Sequence, residues 1–153
     1  REAFLRHIAI AAETGMPMFL HLRDAHEDFH AILREARDSL PDVVVHCFTG
    51  SHEEMRAYLD LDCHIGITGW ICDERRGIHM KDYMRDIPLD RLMIETDAPY
   101  LKPRNLRPKI RSHRNEPRLL PWILGTLAAC RGEHPEMLAA ATTRNAEAFF
   151  RLS

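Results

Sequence analysis

Three apolar runs end in side chains that bind metals: PMFL runs into His21, VVV into His46, and LMIET into Asp97. Glu95 stands two residues before Asp97, so in an extended chain both carboxylates face the same way. Burial of an unpaired charge at the end of an apolar strand is costly, and a cation is therefore expected to meet them. Imidazole nitrogen and carboxylate oxygen are the donors of divalent-metal sites. Asp97 is the expected ligand and Glu95 the group that orients an imidazole or a water, with both assigned to the chemistry. Each residue alone has a plainer role, a packed histidine or an aspartate that caps the next helix. The same placement on three strands carries the metal reading, and a metal so held activates water for hydrolysis.

The elements that must deliver these groups alternate regularly. Apolar spacing predicts a helix over 2–14, stopped by Gly15 and Pro17, then a strand over 17–21. A helix over 25–38 and a strand over 43–48 follow, and Ser51 with Glu54 three residues on is a capping box that opens a helix to about 60. A third strand is expected over 63–69, a helix near 77–85, and a fourth strand over 91–95. Residues 102–117 form a loop rich in proline and arginine, and the remainder is helical.

Strands separated by helices imply parallel βα units. Four of them fit either a doubly wound sheet or part of a (β/α)8 barrel, and a complete barrel takes about 250 residues. The 153-residue chain then corresponds to about half of one. In a barrel the carboxyl ends of the strands converge on one mouth, which makes neighbours of ligands distant in sequence. Arg1 already lies inside an amphipathic pattern with Phe4, Leu5 and Ile8, so residues upstream of it are expected.

A formal charge of −2 gives no global attraction to nucleic acid. The composition is that of a folded domain, treated as one unit over 1–153, and no apolar run reaches the length of a membrane span. A cytoplasmic setting with no membrane partner is expected. Cys47, Cys63, Cys72 and Cys130 lack CxxC spacing and are expected to be reduced packing residues. His7, His26, His30, His52, His64, His79, His113 and His134 fall mostly in helices or turns and are expected to be structural or superficial.

Local charge is more telling. Lys102, Arg104, Arg107, Lys109, Arg111 and Arg114 follow the strand of Asp97 with no acidic residue among 102–114. Cations beside a site mouth hold phosphates in a salt-dependent way. Arg75 and Arg76, with Trp70 on the preceding loop, add phosphate contacts and a stacking surface. Glu116 is placed to order the basic loop by pairing with an arginine, and Pro117 marks the first turn of a helix.

At this point the sequence resembles the TatD-type metal-dependent deoxyribonucleases. MPMFLHLRDA is similar to that family's strand motif with a ligand histidine, VVVHCFTGSHEEM to its HCFxG motif, IGITGWICDERRG to its glycine-bearing loop, and IETDAPYL with RNEP to its closing signature. These segments stand in family order, from about residue 3 to 150. The resemblance implies a TIM-type α/β barrel of the metal-dependent hydrolase kind, represented by about its C-terminal half of four parallel strands.

It also implies His21, His46 and Asp97 as ligands of a divalent Mg, Mn or Zn ion, and 3′-to-5′ exonucleolytic hydrolysis of DNA, as single strands or duplex ends. Arg23, Trp70, Arg75, Arg76, Arg111 and Arg114 are the expected substrate contacts. The family's other metal-site elements, an HxH and a Glu within a GExGLD segment, are expected upstream and are not in this chain, and because four parallel strands without partners leave open edges, association with the missing half or with itself is expected. The alternatives are a related barrel hydrolase of another ester or amide, and an inactive half-barrel that serves in assembly.

Overall fold

The computed structural model describes residues 1–109 and 111–152. Six α-helices and four strands alternate as the spacing predicts: α1 (Glu2–Thr14), β1 (Met18–His21), α2 (His26–Ala36), β2 (Val43–His46), α3 (His52–Asp60), β3 (His64–Ile67), α4 (Ile78–Lys81), β4 (Leu92–Ile94), α5 (Leu120–Arg131) and α6 (Pro135–Phe150). None of these helices is long and apolar enough to cross a membrane.

Local chemistry sets most of the boundaries. Gly15 takes the left-handed conformation, φ 65°, that ends α1, and Gly132 does the same after α5 with φ 69°. The Ser51 hydroxyl accepts from the Glu54 N–H at 3.1 Å while the Glu54 carboxylate accepts from the Ser51 N–H at 2.7 Å. That reciprocal cap fixes where α3 begins, directly after the β2 loop; its loss costs about 1 kcal/mol.

The helix expected near 77–85 is much shorter. Only Ile78–Lys81 is α-helical, followed by a separate 3-10 turn at Met84–Asp86. Met80, Tyr83 and Met84 are all buried, so the apolar pattern was sound. The hydrogen bonds went elsewhere: the buried Arg131 guanidinium donates to the carbonyls of Met84 at 2.6 Å and Ile87 at 2.8 Å, and the Tyr83 hydroxyl donates to the Gly50 carbonyl at 2.5 Å. Main-chain bonds of the tighter i→i+3 kind, Tyr83 N–H to the Met80 carbonyl at 3.2 Å and Asp86 N–H to the Tyr83 carbonyl at 3.0 Å, take the place of the next helical turn, while the side-chain donors pin the segment. Past residue 134 the difference is opposite in sense, since PEMLAAA and TRNAEAFF form one unbroken helix, α6.

The four strands are parallel and pair in the order β1-β2-β3-β4. A doubly wound sheet reverses its strand order at a switch point, whereas a barrel winds in one direction. Sequential order therefore favours the barrel. Leu20, Val43, Val45, Ile65, Ile67 and Leu92 pack with the helices in one buried cluster. The alternate residues Val44 and Met93 form a second cluster with Phe149 of α6. On that second face His21 is in register with His46, and β1 and β4 each pair on one side only.

Candidate metal centre

His46 closes β2 and is held between two carboxylates. Its Nδ1 lies 2.8 Å from Glu95 Oε2, off the N–H axis, and its Nε2 lies 3.5 Å from Asp97 Oδ1. Burial opposes a charge on the ring, yet the Glu95 and Asp97 carboxylates outweigh it and hold the His46 pKa above its ordinary value. Both carboxylates that end the apolar β4 run thus face one imidazole.

Glu95 is itself fixed from a second side. Its Oε1 accepts from the Cys47 N–H at 2.7 Å, and Cys47 presents that group because its backbone turns to φ 49° immediately after the strand. The Cys47 thiol sits 3.2 Å from the Thr68 hydroxyl, and burial pushes its pKa up to about 11, so it stays protonated and is no nucleophile. Space for Glu95 comes from Gly66, where a Cβ would lie 2.3 Å from Oε1.

His21 ends β1 in register with His46, their ring centroids 5.8 Å apart, and its ring is exposed. His21 and Asp97 line a cavity of about 980 Å³, together with Arg23, Trp70 and Arg76. The Arg76 guanidinium lies over the Trp70 indole, 5.3 Å from its centroid. Arg75 turns away to buried Asp73, and neither it nor Arg111 nor Arg114 lines this cavity. His26 and His79, read as structural or superficial, also line it, and His26 Nδ1 lies 2.8 Å from the Tyr58 hydroxyl.

The donor set fits a divalent cation in part. Ligands at about 2.0–2.1 Å in tetrahedral array stand about 3.3–3.4 Å apart, and the 3.5 Å between His46 Nε2 and Asp97 Oδ1 is close to that spacing. Glu95 on Nδ1 is the orienting partner such an imidazole requires. Among the described residues, however, no three His, Cys, Asp or Glu side chains are already gathered as a ligand group. The exposed His21 ring lies 5.8 Å from that of His46, centroid to centroid, and is not part of such a group.

Several contributors were not legible from spacing. Gly66 and the Cys47 N–H act through Glu95, and buried Asn115 donates from Nδ2 to the Tyr100 carbonyl at 2.7 Å, tying down the loop after Asp97. Its own N–H also donates to the Pro99 carbonyl at 2.9 Å. Only the RNEP segment gave a signal here, an amide between charged residues. Glu116 accepts from Arg118 at 2.6 Å, an exposed neighbour beyond the basic loop and not one of the loop arginines it was expected to order.

A one-way parallel sheet with its polar groups at the strand carboxyl ends defines part of a TIM-type hydrolase barrel, and solved structures agree. A TatD homolog from Escherichia coli K12 superposes with a TM-score of 0.82 at 26% identity, over 94% of this chain and 53% of that one. A TatD family hydrolase from Entamoeba histolytica gives 0.75 at 26% identity, over 88% and 50%. The family model described as TatD related DNase matches residues 1–151, and the chain belongs to that family.

Membership implies use of a divalent metal ion. The chain is 52% identical over 150 residues to the 3′-5′ ssDNA/RNA exonuclease TatD of Salmonella typhimurium, and 53% identical over 150 residues to that of Pantoea ananatis. These matches take in 98% of this chain but 58% of each relative, so the chain spans little more than half their length.

Proposed function

We propose that this chain supplies part of the ligand set of a metal-dependent phosphodiesterase acting on single-stranded DNA ends, in the 3′-to-5′ direction. The observation that carries the proposal is the His46 imidazole, set by Glu95 on one nitrogen and by Asp97 at ligand spacing on the other. His46, Asp97 and a turned His21 would hold the ion. Imidazole with carboxylate suits Zn or Mn better than Mg. When bound, the ion supplies Lewis acidity and neutralises charge at the phosphate.

The protein's own residues do the rest. Glu95, 2.8 Å from Nδ1, would keep the His46 ring oriented with Nε2 directed at Asp97. Arg76 and Arg23 line the same cavity as Asp97 and pair with the non-bridging oxygens of the scissile phosphate, while the Trp70 face receives a base. Arg23 and Arg76 stand among four lining carboxylates, Asp24, Glu27, Glu54 and Asp97, so the bound ion rather than the net charge of the wall would favour an anionic phosphodiester over a neutral ester or amide. The open edges of β1 and β4 fit association with the remaining strands of a barrel.

The test is release of nucleotides from a labelled single-stranded oligonucleotide in Mn²⁺. Wild type and His46→Ala are compared, each alone and mixed with the segment of the Salmonella relative that lies outside the matched region. Turnover by wild type that drops at least 100-fold in the variant is expected. Equal turnover by both removes His46 from the site.

A further inference from the structure

We infer that a second cavity beside the mouth holds the neighbouring phosphate of a polynucleotide strand, an inference that rests on the phosphodiesterase reading above. This cavity measures about 490 Å³. Trp70, Arg76 and Leu101 line it as well as the mouth, so the two spaces share the indole and the guanidinium stacked on it as a common wall. Beyond the wall stand Arg104, Lys109 and His113.

The electrostatics of this space are one-sided. Its lone lining carboxylate is Asp73, which is buried and already engaged: Oδ1 accepts from the Arg75 N–H at 3.0 Å, and Oδ2 lies 3.8 Å from Arg104 Nε. Asp73 thereby fixes the direction of Arg104 and neutralises only part of the local charge. Arg76 and Lys109 have no carboxylate partner among the described residues. A cavity with surplus positive charge and a fixed shape takes an anion.

Two backbone contacts make the dividing wall rigid. A Cβ at Gly69 would lie 2.0 Å from the Leu101 carbonyl oxygen, and one at Gly77 would lie 2.0 Å from the Trp70 carbonyl oxygen. The loop that carries Trp70 is therefore pressed between main-chain segments on both sides, closer than any side chain would permit. Such a wall is organised before a ligand arrives, which lowers the ordering cost of binding.

A flat aromatic face with cations on either side matches one base and the phosphates that flank it. A substrate with a single phosphate fills only the mouth, and a paired duplex end offers no unstacked base to Trp70. The second cavity thus selects single strands of at least two phosphates. Arg104 and Lys109 would bind the phosphate next to the one cleaved and take no part in the cleavage.

The experiment uses the double variant R104Q/K109Q, both sites being exposed, with circular dichroism to confirm an unchanged fold. Binding of a labelled octathymidylate is followed by fluorescence anisotropy in EDTA across a salt series, and thymidine 3′-monophosphate serves as the single-phosphate probe. The variant is expected to lose about tenfold in octamer affinity, with its log–log salt slope smaller by about 0.7 to 1.4. Its affinity for the monophosphate should not change. Equal losses on both probes, or an octamer affinity and slope equal to wild type, overturn the second subsite alone. A wild type that binds neither probe overturns it together with the phosphodiesterase reading.

Discussion

Glu95 lies across Gly66: the carboxylate oxygen that accepts the Cys47 N–H occupies the place where a Cβ at position 66 would stand, 2.3 Å away. The contact joins β3 to the loop after β4, and through Glu95 it reaches the His46 ring. A residue with no side chain on one strand thus decides how the His46 ring on the next strand is aimed.

Gly66→Ala is therefore expected to act on the site and spare the fold. The obstructed atom is the end of a flexible side chain, while the nearest backbone atom, His46 Cα, would remain at an ordinary 3.4 Å. Glu95 must swing away, releasing His46 Nδ1. Calorimetric titration with Mn²⁺ should show affinity lower by about 10- to 100-fold, with a melting temperature close to wild type. Unchanged affinity would show that Glu95 does not orient His46.

Edge strands predict association. Among the described residues β1 and β4 each pair with a strand on one side only, and Phe19 on β1 is 51% exposed although its ring lies tilted against His46 with centroids 4.7 Å apart. Sedimentation velocity should find self-association at micromolar concentration, or a one-to-one complex when the unmatched segment of a relative is added. A monomer at every concentration, alone and in the mixture, would contradict this.

His64 predicts an acid limb in stability. It is buried on β3 against Phe149, with ring centroids 5.3 Å apart, and burial, helped by the Arg91 charge, pushes its pKa below the ordinary value. The unfolded chain takes up that proton near pH 6.5, so it binds more protons than the folded state below that pH. Stability from this group is complete above pH 6.5 and is lost as pH falls toward the lower folded value. His46 has the opposite sign in the metal-free protein: its pKa is raised, so its contribution is present below pH 6.5 and fades as pH rises through the folded value. Between pH 7.5 and 5 the melting temperature of His64→Gln should fall less than that of wild type. Parallel curves would refute the assignment.

The barrel architecture was legible because its signals are local. The Ser51–Glu54 cap, the glycine stop at Gly15 and the Val43–Val45 run act within a few residues, and each element appears where they place it. Strand ends told which residues would meet, and His46 with Asp97 shows why: parallel register carries both to one end of the sheet. What escaped depends on distant partners. Arg131 pins the segment after α4 through the Met84 and Ile87 carbonyls, and Gly66 is silent until Glu95 is laid upon it. The basic loop was read as one cationic surface, whereas Arg104 and Lys109 line a cavity and Arg111 and Arg114 line neither cavity described above.

Anomalous X-ray diffraction from crystals soaked in Mn²⁺ addresses the account most directly. A single strong peak about 2.0–2.2 Å from both His46 Nε2 and an Asp97 carboxylate oxygen, with the His21 ring turned toward it, is the predicted result. A peak elsewhere, with His46 and Asp97 in contact only with each other, would contradict the metal centre and the hydrolytic function built on it.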